Sequence, residues 1–420
     1  MSKYVISGTN KALNGSVSIS GSKNAALPIM AAAMLTDETS VIENIPVLSD
    51  TETMLKIISS IGGNSERSEN GSVQINLVKP GKRKPNCYEL FSKLRGSVTV
   101  MSPLLARFGH VRLPLPGGCK IGARPIDLHL KGFSAMGAKI RQGHGYVELS
   151  CKDGLKGAKI YLDFPSVGAT ENIIIAACLA NGTTIIENAA TEPEIVDLSN
   201  FLREMGGDIC GDGTDTVTVK GVPLLRGANH KVIPDRIEAG TFLICGAASG
   251  GDICLCGANP EHLKPLLAKL SEMGFDCDIN DNIIRLKPGG RPKAVDIKTM
   301  PYPGFPTDLQ AQIMSLLSVS DGSGMVVETI FENRFAHIPE LCRMGAKIKT
   351  EGNAAFIEGV SKLSGASVKA TDLRAGAALT VAAIKASGTS EIHDIKHIER
   401  GYENFPEKLR SLGVNIEIRD

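Results

Sequence analysis

The sequence predicts an α/β protein of two domains, each built from three copies of one βαβαββ unit. Three observations point to it: a helix-ending Gly that returns about every 70 residues, an Ala-rich helical pattern ahead of it, and short alternating segments after it. The recurring pairs are Ile61-Gly62, Met136-Gly137, Met205-Gly206, Met273-Gly274, Met344-Gly345 and Leu412-Gly413. A residue without Cβ closes a helix cheaply in the left-handed conformation, so these glycines are read as caps and not as ligand contacts.

The earlier helix of each copy is expected at Lys23 to Met34, Arg95 to Ala106, Gly168 to Ala180, Glu238 to Ala248, Leu309 to Leu317 and Arg374 to Ala386. Strands such as Ser40 to Ile45, Thr183 to Glu187, Asp252 to Cys256 and Met325 to Glu328 lie between the two helices of a copy. Alternating pairs such as Lys347 to Thr350 with Ala354 to Glu358 follow the second helix. Six units make two sets of three, and the chain passes through a Gly-Ala-Asn-His-Lys stretch and a proline between them, near 229–234.

Composition narrows the function classes. With 420 residues and 42% hydrophobic content the chain can bury two cores. A formal charge of +1 supplies no field of the kind that draws a protein to nucleic acid or membrane, so an anionic ligand must be held by a local cluster. Neither a secretory signal nor an apolar run of about 18 residues is apparent, which predicts a soluble cytoplasmic protein. The ten cysteines lack a disulfide framework; Cys254 and Cys256 are one residue apart with no His at zinc-finger spacing, and no metal is expected. Cys178 and Cys245 sit in apolar runs and read as small buried hydrophobes.

Chemistry concentrates at helix starts. The starts are Gly21-Ser22-Lys23-Asn24, Leu94-Arg95, Ser166-Val167-Gly168, Asp235-Arg236, Thr307-Asp308 and Asp372-Leu373-Arg374, and four of the six carry a cation, Lys23, Arg95, Arg236 or Arg374. Two readings stand side by side: Ser and Asp are ordinary caps with the cations in solvent, or the recurrence of a cation that opposes the helix dipole marks a site for anionic ligands. Cys119 lies in the glycine-bounded loop Pro116-Gly117-Gly118-Cys119-Lys120-Ile121-Gly122-Ala123-Arg124-Pro125, where Lys120 and Arg124 favour a thiolate; an incidental loop thiol is the plain alternative. His129 is ten residues away and reads as structural. Asp308, behind three prolines, reads as a helix cap or a general base.

Taken together, the segments at 21–28, 116–125, 302–310, 331–335 and 397–402 resemble the enolpyruvyl transferases along essentially the whole chain. The Cys119 loop is similar to that of the UDP-N-acetylglucosamine branch. The resemblance implies a two-domain inside-out α/β barrel with a discontinuous C-terminal domain, 1–20 plus 232–420, and an N-terminal domain at 21–231, the site lying in the cleft between them. It implies transfer of an enolpyruvyl group from phosphoenolpyruvate to UDP-N-acetylglucosamine at the first committed step of peptidoglycan synthesis, without a cofactor. By the same resemblance Lys23, Asn24, Arg124 and Arg400 receive phosphoenolpyruvate, and Lys23 counts with Cys119 and Asp308 among the catalytic residues. Cys119 donates a proton and can become the 2-(S-cysteinyl)pyruvic acid O-phosphothioketal, and Asp308 is the base. Arg95, Arg124, Pro125, Ile126, Asp127, Leu128, Ser166, Val167, Gly168, Asp308 and Ile330 line the sugar-nucleotide site. Ser49 and Phe164 stand where some members carry basic residues. The shikimate-pathway transferase, which lacks such a cysteine loop, is the alternative enzyme; a non-catalytic anion- or RNA-binding repeat protein is a third reading, opposed by the balanced charge.

Overall fold

The computed structural model describes residues 2–8, 11–79, 87–114 and 126–420. The described chain falls into two compact units, one of residues up to Ser20 together with Pro234–Asp420 and the other between Gly21 and Ile233. Each has its own apolar core.

In both units the Ala-rich helices form the centre. Val167–Ala177 and Arg236–Ser249 are buried at every position from Ala169 to Ala177 and from Ile237 to Ala248, and Gln310–Leu317 is buried throughout. Such helices have no solvent face and so show no amphipathic stripe. Small residues let their neighbours approach. A Cβ on Gly132 would stand 2.5 Å from Ile173 Cδ1, and one on Gly240 2.6 Å from Leu309 Cδ1. Ser315 Oγ also donates to Ala378 O at 2.7 Å, tying Gln310–Leu317 to Leu373–Lys385.

Around these helices the described residues form five four-stranded sheets and one three-stranded sheet. The repeat order is visible in Ile297–Lys298, Ser323–Val327, Ala354–Glu358 and Lys347–Glu351, which pair in that spatial order. All six cap glycines have φ between +92° and +100°. Each closes its helix with the same two bonds, as in Gly206 N–H to Arg203 O (2.9 Å) and Gly207 N–H to Leu202 O (2.8 Å).

The N-terminal stretch holds two strands. Asn14–Ser18 pairs parallel with Asp252–Cys256, whereas Lys3–Ser7 lies between Thr389–His393 and Asn415–Arg419. The opening strands of the first and fourth repeats are therefore exchanged: Asn14–Ser18 completes the fourth repeat's sheet, and Asn229–Lys231 joins the first repeat's sheet beside Ser40–Glu43. Buried polar groups fasten both passages of the chain. Lys408 Nζ donates to Glu238 Oε1 and Ser20 Oγ, each at 2.6 Å, and Ser20 N–H to Glu238 Oε2 at 2.8 Å; burial pushes the Glu238 carboxyl up to about 7 despite Lys408. His230 is held between Asp197 Oδ1 (3.1 Å) and Glu204 Oε2 (2.9 Å), while Asp197 Oδ2 accepts from Ile233 N–H.

Candidate functional site

In the unit containing Pro234–Asp420 the candidate residues include Asp308. It does not cap a helix: the cap positions of the 3-10 turn Thr307–Leu309 and of Gln310–Leu317 belong to Pro306 and Leu309. Its carboxylate is instead shared by two guanidiniums, Arg334 Nη2 donating to Oδ1 at 2.6 Å and Arg374 Nη2 to Oδ2 at 2.8 Å. Both arginines are only 5% exposed. Burial favours the neutral carboxyl, but Arg374 and Arg334 outweigh it and hold Asp308 far below the usual carboxylate range.

Arg374 is itself placed by sequence: Asp372 caps Leu373–Lys385, accepting from Arg374 N–H (2.8 Å) and Ala375 N–H (3.0 Å). Arg374 Nη1 reaches Tyr402 OH at 3.2 Å, and Thr241 Oγ1 lies 2.9 Å from that hydroxyl. Gln312 Nε2 donates to Tyr402 OH, Thr241 Oγ1 and the Asp308 carbonyl. This network ties three central helices to the carboxylate.

Ile330 follows strand Ser323–Val327 and is fixed through its backbone. Glu328, 3% exposed, accepts from Ile330 N–H (2.8 Å), Phe331 N–H (3.2 Å), Thr299 Oγ1 (3.0 Å) and Thr307 Oγ1 (2.9 Å). One buried acid thus joins the Ile330 turn to the turn that carries Asp308. Arg400 is half-buried in the turn after Ile395–His397.

In the unit between Gly21 and Ile233, Lys23 opens helix Lys23–Ala32 beside Asn24, and Ser22 caps it by accepting from Ala25 N–H at 3.4 Å. Lys23 Nζ lies 3.2 Å from Asp50 Oδ2, both side chains largely buried. Pro28 has no N–H to offer the Asn24 carbonyl, so the first turn keeps an acceptor free of the helix ladder. Arg95 begins the 3-10 turn Arg95–Val100, which sits on the same helix: a Cβ on Gly96 would be 3.0 Å from Leu27 Cδ1.

Two further helix starts meet in this unit. Asp127–Ala135 places Asp127 and Leu128 in its first turn after buried Ile126, and Val167–Ala177 places Val167 and Gly168 after the capping Ser166. His129 joins them. Asn172 Nδ2 donates to His129 Nδ1 at 2.6 Å, Ser102 Oγ donates to Asn172 Oδ1, and a Cβ on Gly168 would lie 3.1 Å from His129 Cε1. His129 is therefore a buried tie between helices. Phe164, just before this start, is 43% exposed. Cys119, Lys120, Arg124 and Pro125 lie outside the described residues.

Sequence reasoning assigned no role to Arg334, Arg374, Glu328 or Asp50. The signal for Arg374 was present as a cation at a helix start; Arg334 stood inside the 331–335 segment, without a feature naming its partner. The thiols of Cys178 and Cys245 are fully buried, and burial pushes each up to about 12. Among the described residues no helix is long and apolar enough to cross a membrane, and no three His, Cys, Asp or Glu side chains group as metal ligands.

The family model for EPSP synthase (3-phosphoshikimate 1-carboxyvinyltransferase) matches residues 8–409. The chain is 55% identical to UDP-N-acetylglucosamine 1-carboxyvinyltransferase 2 of Carboxydothermus hydrogenoformans over 419 residues, 99% of each chain. It is 54% identical to UDP-N-acetylglucosamine 1-carboxyvinyltransferase 1 of Caldanaerobacter subterraneus subsp. tengcongensis over 404 residues, 96% of each. Among solved structures, the enolpyruvyl transferase NikO from Streptomyces tendae superimposes with a TM-score of 0.88 at 24% identity, covering 99% of this chain and 98% of its own. An EPSP synthase from Acinetobacter baumannii gives 0.78 at 20% identity over the whole of both chains. These two establish the fold; the family model and the two relatives, alike over nearly the full length, establish that the chain belongs to the EPSP synthase family of enolpyruvyl (1-carboxyvinyl) transferases.

Proposed function

We propose that the protein transfers the enolpyruvyl group of phosphoenolpyruvate to the 3′-hydroxyl of UDP-N-acetylglucosamine with release of phosphate, the first committed step of peptidoglycan synthesis. The observation that carries this is identity above half with relatives named for that reaction along 99% and 96% of the chain. The free cysteines fit a cytoplasmic enzyme.

In this reading Lys23, Asn24, Arg124 and Arg400 hold the phosphate and carboxylate of phosphoenolpyruvate, since several fixed cations suit two anionic groups. Cys119 delivers a proton to the methylene carbon, and the sugar hydroxyl attacks the cationic carbon so formed as Asp308 takes its proton. The ketal then loses phosphate together with a methyl proton, restoring the double bond, while the arginines stabilise the leaving charge. Capture of the same carbon by the Cys119 thiolate gives the phosphothioketal. Arg95, the 124–128 segment, Ser166 to Gly168, Asp308 and Ile330 contact the sugar nucleotide.

A carboxylate held by two guanidiniums is a poor proton acceptor, so Asp308 works as a base once substrate draws it off one of them. The guanidinium released is then available to the phosphate.

The test is inorganic phosphate release from phosphoenolpyruvate with UDP-N-acetylglucosamine and, separately, with shikimate 3-phosphate. Release with the first alone is expected; release with the second alone would transfer the assignment to the shikimate-pathway reaction. Fosfomycin, an anionic epoxide, should alkylate Cys119 in competition with phosphoenolpyruvate. Cys119→Asp should retain turnover while resisting fosfomycin, and Cys119→Ser should lose turnover, its hydroxyl being too weak an acid. Full activity in Cys119→Ser would remove Cys119 from the proton transfer.

A further inference from the structure

Strand Asp252–Cys256 pairs antiparallel with Ile283–Leu286 and parallel with Asn14–Ser18. Its alternation sends Ile253 and Leu255 into the core, both 0% exposed, and leaves Asp252, Cys254 and Cys256 half-buried on the opposite face. Both cysteines are free, and two residues apart on one strand they lie on the same face. Their neighbours across the ladder are two serines, a tied arginine and, beside Cys256, the exposed Ile283. Ser16 and Ser18 flank them on one side and are exposed; on the other, Arg285 beside Cys254 is tied to Asp252 by bonds of 2.8 and 2.7 Å. No step of the proposed reaction uses this face.

We propose that Cys254 and Cys256 form a dithiol site that binds a trivalent arsenical. Three fates of paired thiols can be weighed against the geometry. A disulfide is disfavoured, because two residues of strand rise separate the Cα atoms by about 6.6 Å, at the far end of the range of roughly 4.4–6.8 Å that a disulfide spans. Zinc is disfavoured, because it seeks about four ligands and the described residues offer no group of three. Trivalent arsenic is a soft centre with three bonds, of which the two sulfurs supply two and its own carbon or hydroxyl the third.

The reaction balances without an oxidant. With an aryl arsenoxide, two As–S bonds form as the arsenic–oxygen bond is lost, the two thiol protons leave with that oxygen as water, and arsenic stays trivalent. The thiolate is the ligand form, and burial with the neighbouring Cys256 and the Asp252 carboxylate raises Cys254 while Arg285 opposes the rise, so capture quickens as pH increases.

The experiment exposes the full chain to phenylarsine oxide, follows intact mass after excess glutathione, and maps the adduct by tandem mass spectrometry. One equivalent should survive the monothiol, leave with dithiothreitol and map to the peptide carrying both cysteines. The monothiol-resistant adduct should be lost in Cys254→Ser and in Cys256→Ser, and retained in Cys119→Ser. Retention in either single variant, loss in Cys119→Ser, or a wild-type adduct mapped to other cysteines would overturn the proposal. The wild-type map decides even if a serine variant folds poorly.

Discussion

Asp308 and Lys23 occupy the same place in their repeats, the start of a central helix, yet their charges are balanced in opposite ways. Lys23 faces the Asp50 carboxylate at 3.2 Å, whereas Asp308 has two guanidiniums at 2.6 and 2.8 Å. A single ammonium on a flexible stem changes partners easily; two planar guanidiniums with fixed donors do not. The first arrangement suits a residue that greets an incoming anion. The second suits a carboxylate held in one orientation until a substrate competes for its arginines.

The sharpest way to break this comparison is to neutralise each centre. Asp308→Asn should lower turnover by roughly 10²–10⁴-fold. It should also destabilise the protein by about 3–5 kcal/mol, because two buried guanidiniums lose their counter-charge. Since the folded carboxyl is depressed, the stability it supplies is present above its unfolded value near pH 4 and is lost only as pH falls further, so the wild-type advantage in a denaturant titration should stay constant from about pH 5 to 8. Near wild-type turnover would reduce Asp308 to a structural anion. Lys23→Ala should cost about 10²–10³-fold in kcat/KM for phosphoenolpyruvate with little loss of melting temperature; a large thermal loss would show that its pair with Asp50 is structural.

The same contrast extends to the fastening of the chain at His230. Burial favours the neutral ring, but the contacts with Asp197 and Glu204 prevail and raise His230 above its ordinary value. A protonated ring donates to both acids, and a neutral one to a single acid. His230→Gln should therefore cost roughly 1.5–3 kcal/mol below about pH 6.5, a deficit that shrinks as pH rises through the raised native value. Urea midpoints of both proteins at about pH 6 and 9 would show it; a pH-independent gap would refute the ionic clamp. The smallest effect is expected at a cap. Gly206→Ala meets no atom within 4 Å, so its cost of about 1–2 kcal/mol comes from φ +99° alone, read as a fall in melting temperature with unchanged kcat.

The elements readable in the sequence were those determined locally. Gly206 and its five counterparts show because a left-handed cap selects its residue without help from the rest of the chain. The central helices show because they are rich in Ala and other apolar residues and are buried over nearly their whole length. What pairs across repeats was hidden: Asp308 and Arg374 are 66 positions apart, and neither alone specifies the other. Asp308 looked like a cap because acids often are, but Pro306 and Leu309 hold the cap positions and leave the carboxylate to the arginines. The strand Lys3–Ser7 was missed for a related reason, since its short alternating run is fixed by partners at the far end of the chain. The loop of Cys119 was the most telling sequence segment, and it lies outside the described residues.

That strand has a consequence for biogenesis. Lys3–Ser7 sits between Thr389–His393 and Asn415–Arg419, so it leaves the ribosome long before either neighbour exists. At about 5–20 residues per second it waits on the order of tens of seconds with Tyr4 and Ile6 unsheltered. Both side chains are fully buried in the finished sheet. The unit that contains it cannot close during synthesis of its own helices; it closes when translation reaches the final strand, and a nascent chain stopped before Asn415 leaves one edge of Lys3–Ser7 without its partner.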